Sequence, residues 1–188
     1  MGTQISCDCG SFKAELTSFP RNTPGRLVCY CRDCQSFMNK IDRQDVLDSY
    51  GGTEVIPAYP CEIEIIQGRE NLKCNRLTEK GTYRWTTSCC NSPIANTKVG
   101  FPWVGLFHST YIAINYDALN ALGSVKSRIY GRDMLDGSPH RTSNKIGIRD
   151  MLAVMPFIIK GKLLKKQRNS PFFEGDNTTP ISKPELLS

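Results

Sequence analysis

Long apolar runs are missing from this sequence, which argues against a membrane-spanning segment. A transmembrane helix needs roughly 18 or more consecutive apolar residues, and no stretch of the 188 residues approaches that length. The first residues also lack the basic start and apolar core of a signal peptide. Gly2 and Ser6 match the myristoylation pattern, but that pattern is too loose to predict lipidation. We therefore expect a cytoplasmic protein without a transmembrane segment.

Residues for the common catalytic arrangements are scarce as well. The chain has two histidines, His108 and His140, and each stands alone in the sequence. There is no Ser/His/Asp arrangement, no phosphate-binding glycine loop and no pair of carboxylates at a catalytic spacing. Triad chemistry and loop-based nucleotide binding are therefore poor explanations of this chain.

Cysteine, by contrast, is abundant. The chain has nine cysteines, and a reducing cytosol disfavours structural disulfides, so grouped thiols point to a metal ion. Cys61 and Cys74 lie within strand patterns without ligand spacing, and we expect them to be buried free thiols. The remaining seven form three clusters: Cys7-x-Cys9, Cys29-x-Cys31-x-x-Cys34 and Cys89-Cys90.

The central cluster is the most specific metal signal. Cys31 and Cys34 have the spacing of a zinc knuckle, and Cys29, at the end of a predicted strand, adds a third sulfur. Three core thiols packed side by side are the alternative without a metal. Because no fourth ligand is obvious, the zinc site would keep an open position, as catalytic zinc sites do. Three thiolates also favour exchange with another soft ligand, such as the thiolate of a substrate.

The first cluster supplies only two ligands and needs partners from elsewhere in the chain. Cys90, in the turn before Pro93, is the best candidate to join Cys7 and Cys9. Side chains of adjacent residues diverge along an extended backbone. Cys89 is therefore a doubtful fourth ligand unless a turn directs its sulfur toward those of Cys7, Cys9 and Cys90.

Alternating apolar and polar residues predict a mainly β domain over residues 1–115. A helical turn or knuckle is expected at 32–37 and a short helix at 42–50. A hairpin strand with Phe12, Ala14 and Leu16 on one face is expected near the start. Further strands are predicted at 26–30, 54–57, 61–67, 72–77, 82–86, 93–97, 103–107 and 111–115.

The rest of the chain differs in pattern. Residues 116–168 predict a helical extension, with a short helix near Asp117 closed by Gly123. Apolar residues from 148 to 159 recur at helical spacings around Pro156. Residues 169–188 form a proline-containing tail, either docked or loose.

The order of the clusters resembles the glutathione-dependent formaldehyde-activating enzyme family, which also contains centromere protein V. The shared pattern is C-x-C-G near the start, then C-x-C-x-x-C, then G-x-x-R-aromatic leading to a cysteine shortly before Ser-Pro. The resemblance covers about residues 3–115. The matching residues are Cys7, Cys9, Gly10, Cys29, Cys31, Cys34, Gly81, Arg84, Cys90, Ser92 and Pro93.

This resemblance implies a β-tent (Mss-four-like) zinc-binding fold with two zinc sites. The first C-x-C and a later C-x-x-C would form a structural site, and the central three cysteines a reactive one. Here Thr87 stands in place of the first cysteine of the later pair, and Asn91 in place of a glycine. We therefore expect one or two Zn²⁺ per chain, and a turn that survives because asparagine tolerates the left-handed conformation.

The resemblance implies a carbon–sulfur lyase that joins formaldehyde to a small thiol, possibly glutathione, or reverses that reaction through S-hydroxymethylglutathione. Asp33 and His108 are the candidates for proton transfer. The alternative is a non-catalytic zinc module that binds a protein, nucleic acid or membrane partner, with nucleic acid the weakest of these. Its support is the basic run at 160–168 and the apolar helix, which could also cap the β domain or form a homodimer.

Overall fold

Two β-sheets make up most of the fold. The structure is a computed structural model that describes residues 2–114, 116–135, 139–140 and 142–187. In the smaller sheet, β1 (Thr3–Ser6) pairs with β2 (Lys13–Leu16), and β2 pairs with β5 (Ile63–Gln67), both antiparallel. The larger sheet is built from β3 (Leu27–Cys29), β4 (Thr53–Ala58), β6 (Leu72–Arg76), β7 (Tyr83–Thr87), β8 (Pro93–Thr97), β9 (Val104–Phe107), β10 (Ser127–Ile129) and β11 (Glu185–Leu186).

The larger sheet has the strand order β10-β3-β4-β9-β8-β7-β6-β11. Its inner pairs are antiparallel, whereas the outermost strands β10 and β11 join in parallel. Four α-helices accompany the sheets in the described part of the chain: α1 (Arg32–Lys40), α2 (Ser109–Ile112), α3 (Tyr116–Asn120) and α4 (Ile148–Leu163). The predicted mainly β fold with a C-terminal helical extension is confirmed.

Alternation of apolar and polar residues explains which side chains of the first hairpin are buried. Ala14 and Leu16 of β2 are buried, whereas Lys13 and Glu15 between them are partly exposed. The period of two puts every second side chain on the same face of a sheet, and Phe12 just before the strand is fully buried as well. The predicted inward face of this strand is therefore confirmed.

The strand predicted at 111–115 is wrong. Residues 109–112 form α2, in which the backbone N–H groups of Tyr111 and Ile112 both donate to the carbonyl oxygen of His108. Short apolar runs cannot be assigned to helix or strand by periodicity alone. The completely buried Tyr111 ring is compatible with a helix as well as with a strand. Asn115, the last residue of that prediction, lies outside the described residues.

The two helical predictions before β4 also need correction. The turn expected at 32–37 is the nine-residue helix α1, whereas the helix expected at 42–50 shrinks to a 3-10 turn at Gln44–Val46. The carboxylate of Asp48 accepts hydrogen bonds from the backbone N–H groups of Tyr50 (2.9 Å) and Gly52 (2.8 Å). Such local bonds offer the backbone an alternative to helical pairing, which keeps this segment a loop.

Both C-terminal segments contribute to the larger sheet. β10 extends it beside β3, and β11 extends it beside β6. The tail is docked, because Phe172 and Phe173 are buried with ring centroids 5.2 and 6.2 Å from that of Trp85. Ser188 lies outside the described residues.

Helix α4 packs on the fold through one narrow face and passes through Pro156 without ending. Phe157 stacks on Tyr59 with ring centroids 4.0 Å apart, and the Tyr59 hydroxyl donates to the Phe157 carbonyl oxygen at 2.7 Å. A side chain at Gly161 would meet Tyr59 at 2.6 Å and Pro102 at 2.7 Å, so the helix can approach this closely only with glycine there. No helix in the described residues is long and apolar enough to cross a bilayer.

We expect Phe157→Ala to lower the free energy of unfolding by about 3 kcal/mol, because it removes a buried ring and leaves a cavity against Tyr59. Urea denaturation measures the change. Leu152→Ala on the outer face of the same helix is the control, with a loss below about 0.5 kcal/mol. Equal losses in the two variants would mean that α4 is not held on the fold by its Phe157 face.

Candidate metal centres

The first centre forms where two turns meet. The turn between β1 and β2 carries Cys7 and Cys9, and the turn between β7 and β8 carries Cys89 and Cys90. Their four sulfur atoms all lie within 4.8 Å of one another. Cys7 Sγ lies 3.6 Å from Cys9 Sγ and 3.8 Å from Cys89 Sγ, and the Cys9–Cys89 distance is 3.3 Å. The structure therefore brings all four of these predicted residues together around one point.

Cys89, doubtful on sequence grounds, joins this group because of the local backbone. Residues 88–90 form a turn, closed by a hydrogen bond from the Asn91 N–H to the Thr87 carbonyl oxygen at 3.0 Å. Asn91 has a φ of 57°, the left-handed conformation expected at this position. The divergence of neighbouring side chains applies to an extended chain, and the turn removes it.

Thr87 does not supply a sulfur but supports this turn. Its hydroxyl accepts a hydrogen bond from the Ser92 N–H at 3.2 Å and lies 3.5 Å from Cys90 Sγ. The Ser92 hydroxyl lies 3.1 Å from the same sulfur. Burial would raise the pKa of Cys90, but these hydroxyl contacts outweigh it and lower the pKa to about 5. Cys90 is therefore the member of the group most ready to bind as a thiolate.

Arg43 ties the two turns together. Its guanidinium lies 2.8 Å from the carboxylate of Asp8 and 3.4 Å from the hydroxyl of Ser92. The backbone N–H of Asp8 donates to the same Ser92 hydroxyl at 3.0 Å. Sequence reasoning missed Arg43, because it follows α1 and has no fixed spacing to any cysteine of this group.

The second centre lies where β3 runs into α1. Cys29 ends the strand, Cys31 precedes the helix and Cys34 lies in its first turn. Their sulfur atoms lie within 4.8 Å of one another, with Cys31 and Cys34 3.2 Å apart. The N–H groups of Cys34 and Gln35 donate to the carbonyl oxygen of Cys31, which holds the loop against the helix start. Among the described residues, no fourth His, Cys, Asp or Glu joins this group.

A cavity opens at the second centre. Its volume is about 600 Å³ and its wall is polar. The backbone of Tyr130 in this wall has a φ of 59°, a left-handed conformation that is unusual for a bulky residue. The lining residues are Cys31, Arg32, Asp33, Tyr130, Arg132 and Asp133.

The segment after β10 forms one wall of this cavity and is held on α1. The Gln35 side-chain amide donates to the carbonyl oxygens of Tyr30 (2.7 Å) and Asp133 (2.8 Å). The Asp133 carboxylate lies 3.4 Å from the Arg32 guanidinium and 3.7 Å from that of Arg132. Sequence reasoning missed Tyr130 and its neighbours, because they lie outside the cysteine pattern and no spacing links them to it.

Electrostatics at the second centre favour thiolate at Cys31. Hydrogen bonds from the thiols of Cys29 and Cys34 hold the pKa of Cys31 well below its ordinary value, and the positive charge of Arg84 acts in the same direction. Arg84 is buried, and its guanidinium lies over the Phe37 ring at 5.0 Å. Burial raises the pKa of the Tyr130 hydroxyl, and negative charge on the nearby thiol group acts in the same direction. The hydroxyl therefore stays protonated and can donate a hydrogen bond into the cavity.

The other residues singled out in the sequence lie in different parts of the structure. Asp33 lines the cavity at the second centre, whereas His108 lines a separate cavity of about 330 Å³ together with Asp45. His108 is therefore not placed beside the cysteines. Cys61 and Cys74 join neither group in the described residues. Cys74 is buried as predicted, and burial raises its pKa to about 12, as expected of a structural thiol. The prediction of a buried thiol is wrong for Cys61, which is only partly buried.

Comparisons with known proteins give a family and a distant similarity to solved structures. The family described as "Family of unknown function (DUF6151)" matches residues 2–183. No curated protein matches the sequence. Among solved structures, the chain is similar to a crystal structure of a Rhodobacter sphaeroides protein, with 17% identity and a TM-score of 0.42. That alignment covers 65% of this chain and 97% of the other.

We expect the purified protein to hold about two metal ions per chain, one at each thiol group. Cys89→Ser and Cys31→Ser should each lower the metal content to about one, because each removes a sulfur from a different group. Elemental analysis of protein prepared without chelator measures the ratio. Cys61→Ser, a thiol outside both groups, is the matched control and should retain both ions. If the Cys89→Ser variant kept its full metal content, Cys89 would not be a ligand.

Proposed function

We propose that this chain, which belongs to the family of unknown function DUF6151, is a zinc protein that acts on the sulfur of a small thiol adduct. The observation that carries the proposal is the difference between its two thiol groups. Four sulfurs converge at the first centre, whereas three converge at the second, beside a polar cavity. Structural zinc sites have four protein ligands, and catalytic sites keep one position for water or substrate.

The donor sets fit zinc. Thiolates are soft ligands that select zinc, copper(I) or iron–sulfur clusters. Tetrahedral zinc with bonds of about 2.3 Å to sulfur separates its ligands by about 3.8 Å. The three sulfur distances among Cys7, Cys9 and Cys89 run from 3.3 to 3.8 Å, close to that value. The second centre offers 3.2 Å between Cys31 and Cys34 and needs only slight opening.

Zinc held by Cys29, Cys31 and Cys34 would stabilise the thiolate form of a substrate sulfur. The cavity wall beside it carries two guanidinium groups, Arg32 and Arg132, and two carboxylates, Asp33 and Asp133. This mixture suits a small molecule with both carboxylate and ammonium groups, because each finds an opposite charge. A thiol peptide such as glutathione has this character, and a volume of about 600 Å³ lies within the usual range for small-molecule sites.

The reaction proposed is reversible cleavage of a hydroxymethyl thioether into a thiol and formaldehyde. The carbon–sulfur bond breaks, and its electron pair stays on sulfur. The hydroxyl group loses its proton as the carbonyl forms, and that proton ends on the sulfur, so atoms and charge balance. Tyr130 would donate a hydrogen bond to the adduct oxygen, and the Asp33 carboxylate is the acceptor on the same wall.

We expect the metal-loaded protein to accelerate exchange between free formaldehyde and its glutathione adduct, measured by NMR with labelled formaldehyde. Cys31→Ser should abolish the acceleration. Tyr130→Phe should keep the metal and lower the rate by about tenfold or more, because it removes only a hydrogen bond to the reacting oxygen. Cys61→Ser should behave as the unmodified protein. An exchange rate at the uncatalysed value, with metal bound, would contradict this reaction.

We also expect Arg132→Met to raise KM for the glutathione adduct by about three- to tenfold while kcat changes little, because the guanidinium would bind a substrate carboxylate away from the reacting carbon. Initial rates over a range of adduct concentrations separate the two constants. Arg69→Met is the matched control, since Arg69 pairs with Glu174 instead of lining this cavity. An unchanged KM in Arg132→Met would remove Arg132 from the binding surface.

A further inference from the structure

The outer face of α4 presents a row of large apolar side chains to solvent. We call this row the apolar stripe. Its members are between 38% and 79% exposed and recur every three or four residues, so they share one side of the helix. They are Ile148, Met151, Leu152, Met155, Ile159 and Leu163. Ile146 and Leu164 continue the exposed apolar surface at its two ends.

The helix cannot bury this stripe by turning round, because its opposite face is fixed in place. Phe157 and Gly161 pack against Tyr59. At the start of the helix, the Asp150 carboxylate accepts hydrogen bonds from the Ser127 hydroxyl, the Ser143 hydroxyl and the Gly147 N–H. Six exposed apolar side chains in one row exceed what a monomer scatters over its surface, which marks an interaction face.

Positive charge accompanies the stripe. Residues 142–168 contain seven lysines and arginines and one acidic residue, Asp150. This segment alone therefore carries a net charge of +6, equal to that of the whole chain. Lys166 is paired with Glu62 at 3.0 Å, but Arg149, Lys165 and Arg168 are exposed.

This charge pattern argues against a second copy of the chain as the partner. Two α4 helices paired face to face would bring cations of one copy to cations of the other. The only carboxylate of the segment, Asp150, points inward to Ser127 and Ser143 and cannot neutralise them. Like charges across an interface are destabilising. The phosphates of a nucleic acid would neutralise the cations, but they provide no apolar surface against which the stripe could be buried.

We propose that α4 docks on an anionic lipid bilayer. The apolar stripe would enter the boundary between headgroups and acyl chains, and Arg149, Lys165 and Arg168 would contact the lipid phosphates and carboxylates. Interfacial helices combine an apolar face with lysine and arginine in this manner and lie parallel to the membrane plane. This inference concerns a surface separate from both thiol groups and does not depend on the proposed reaction.

The test is sedimentation of the full-length, metal-loaded protein with vesicles. Vesicles of phosphatidylcholine with about 30% phosphatidylserine should bind it about tenfold more strongly than pure phosphatidylcholine, and added salt should weaken binding. Ile148→Ser with Leu152→Ser and Leu163→Ser should lower the partition coefficient by about tenfold or more. Lys165→Gln with Arg168→Gln should remove most of the preference for the anionic vesicles.

Ile66→Ser is the matched control, because Ile66 is 52% exposed, like Ile159, but lies on β5. It should bind as the unmodified protein does. If the triple variant fails to fold, Ile148→Ser alone, at the most exposed position, tests the stripe. No binding to either vesicle, or equal binding by the stripe variant, overturns the proposal. A dimer in solution that the stripe variant abolishes, with no vesicle binding, would mean that the stripe binds a second copy of the chain instead of lipid. Salt-sensitive binding to DNA without vesicle binding would also overturn the proposal.

Discussion

The crowding of ionisable cysteine sulfurs is the constraint on which the rest of this structure depends, because thiolates at such short distances would repel one another. Two unit charges about 4 Å apart repel by roughly 4 kcal/mol at the effective dielectric of a protein surface. Seven cysteine sulfurs lie in two groups, each within 4.8 Å. Such groups remain together only if shared protons or a bound cation neutralise them. A metal ion does so most completely, and its binding energy then contributes to folding.

The first group joins two turns that are about 80 residues apart in sequence, and thereby connects the smaller sheet to the larger one. Arg43 adds a cation beside it, paired with Asp8 and Asp45. The second group holds the start of α1 at the end of β3. A four-sulfur group and a three-sulfur group are thus built from the same ligand type, and they differ in the number of sulfurs that could hold a metal ion.

The C-terminal part of the chain completes what the cysteine-bearing part begins. Tyr130, Arg132 and Asp133 form a wall of the cavity beside Cys31. Phe172 and Phe173 cover Trp85, and β11 extends the larger sheet beyond β6. Helix α4 packs against Tyr59, and its apolar stripe faces solvent. The segment that shapes the cavity thus leads directly into the segment that carries the exposed surface.

The sequence by itself determined the local features. Cysteine spacing identified the groups that could hold a metal, because C-x-C and C-x-x-C ligands are brought together by one turn. Alternation located most strands of both sheets to within about two residues. Only the tertiary structure decided that Cys89 faces Cys7 and Cys9, that His108 lies away from Cys31 while Tyr130 lies near it, and that the stripe of α4 faces outward. These relations join residues distant in the chain, and they depend on how elements pack, which no local pattern encodes.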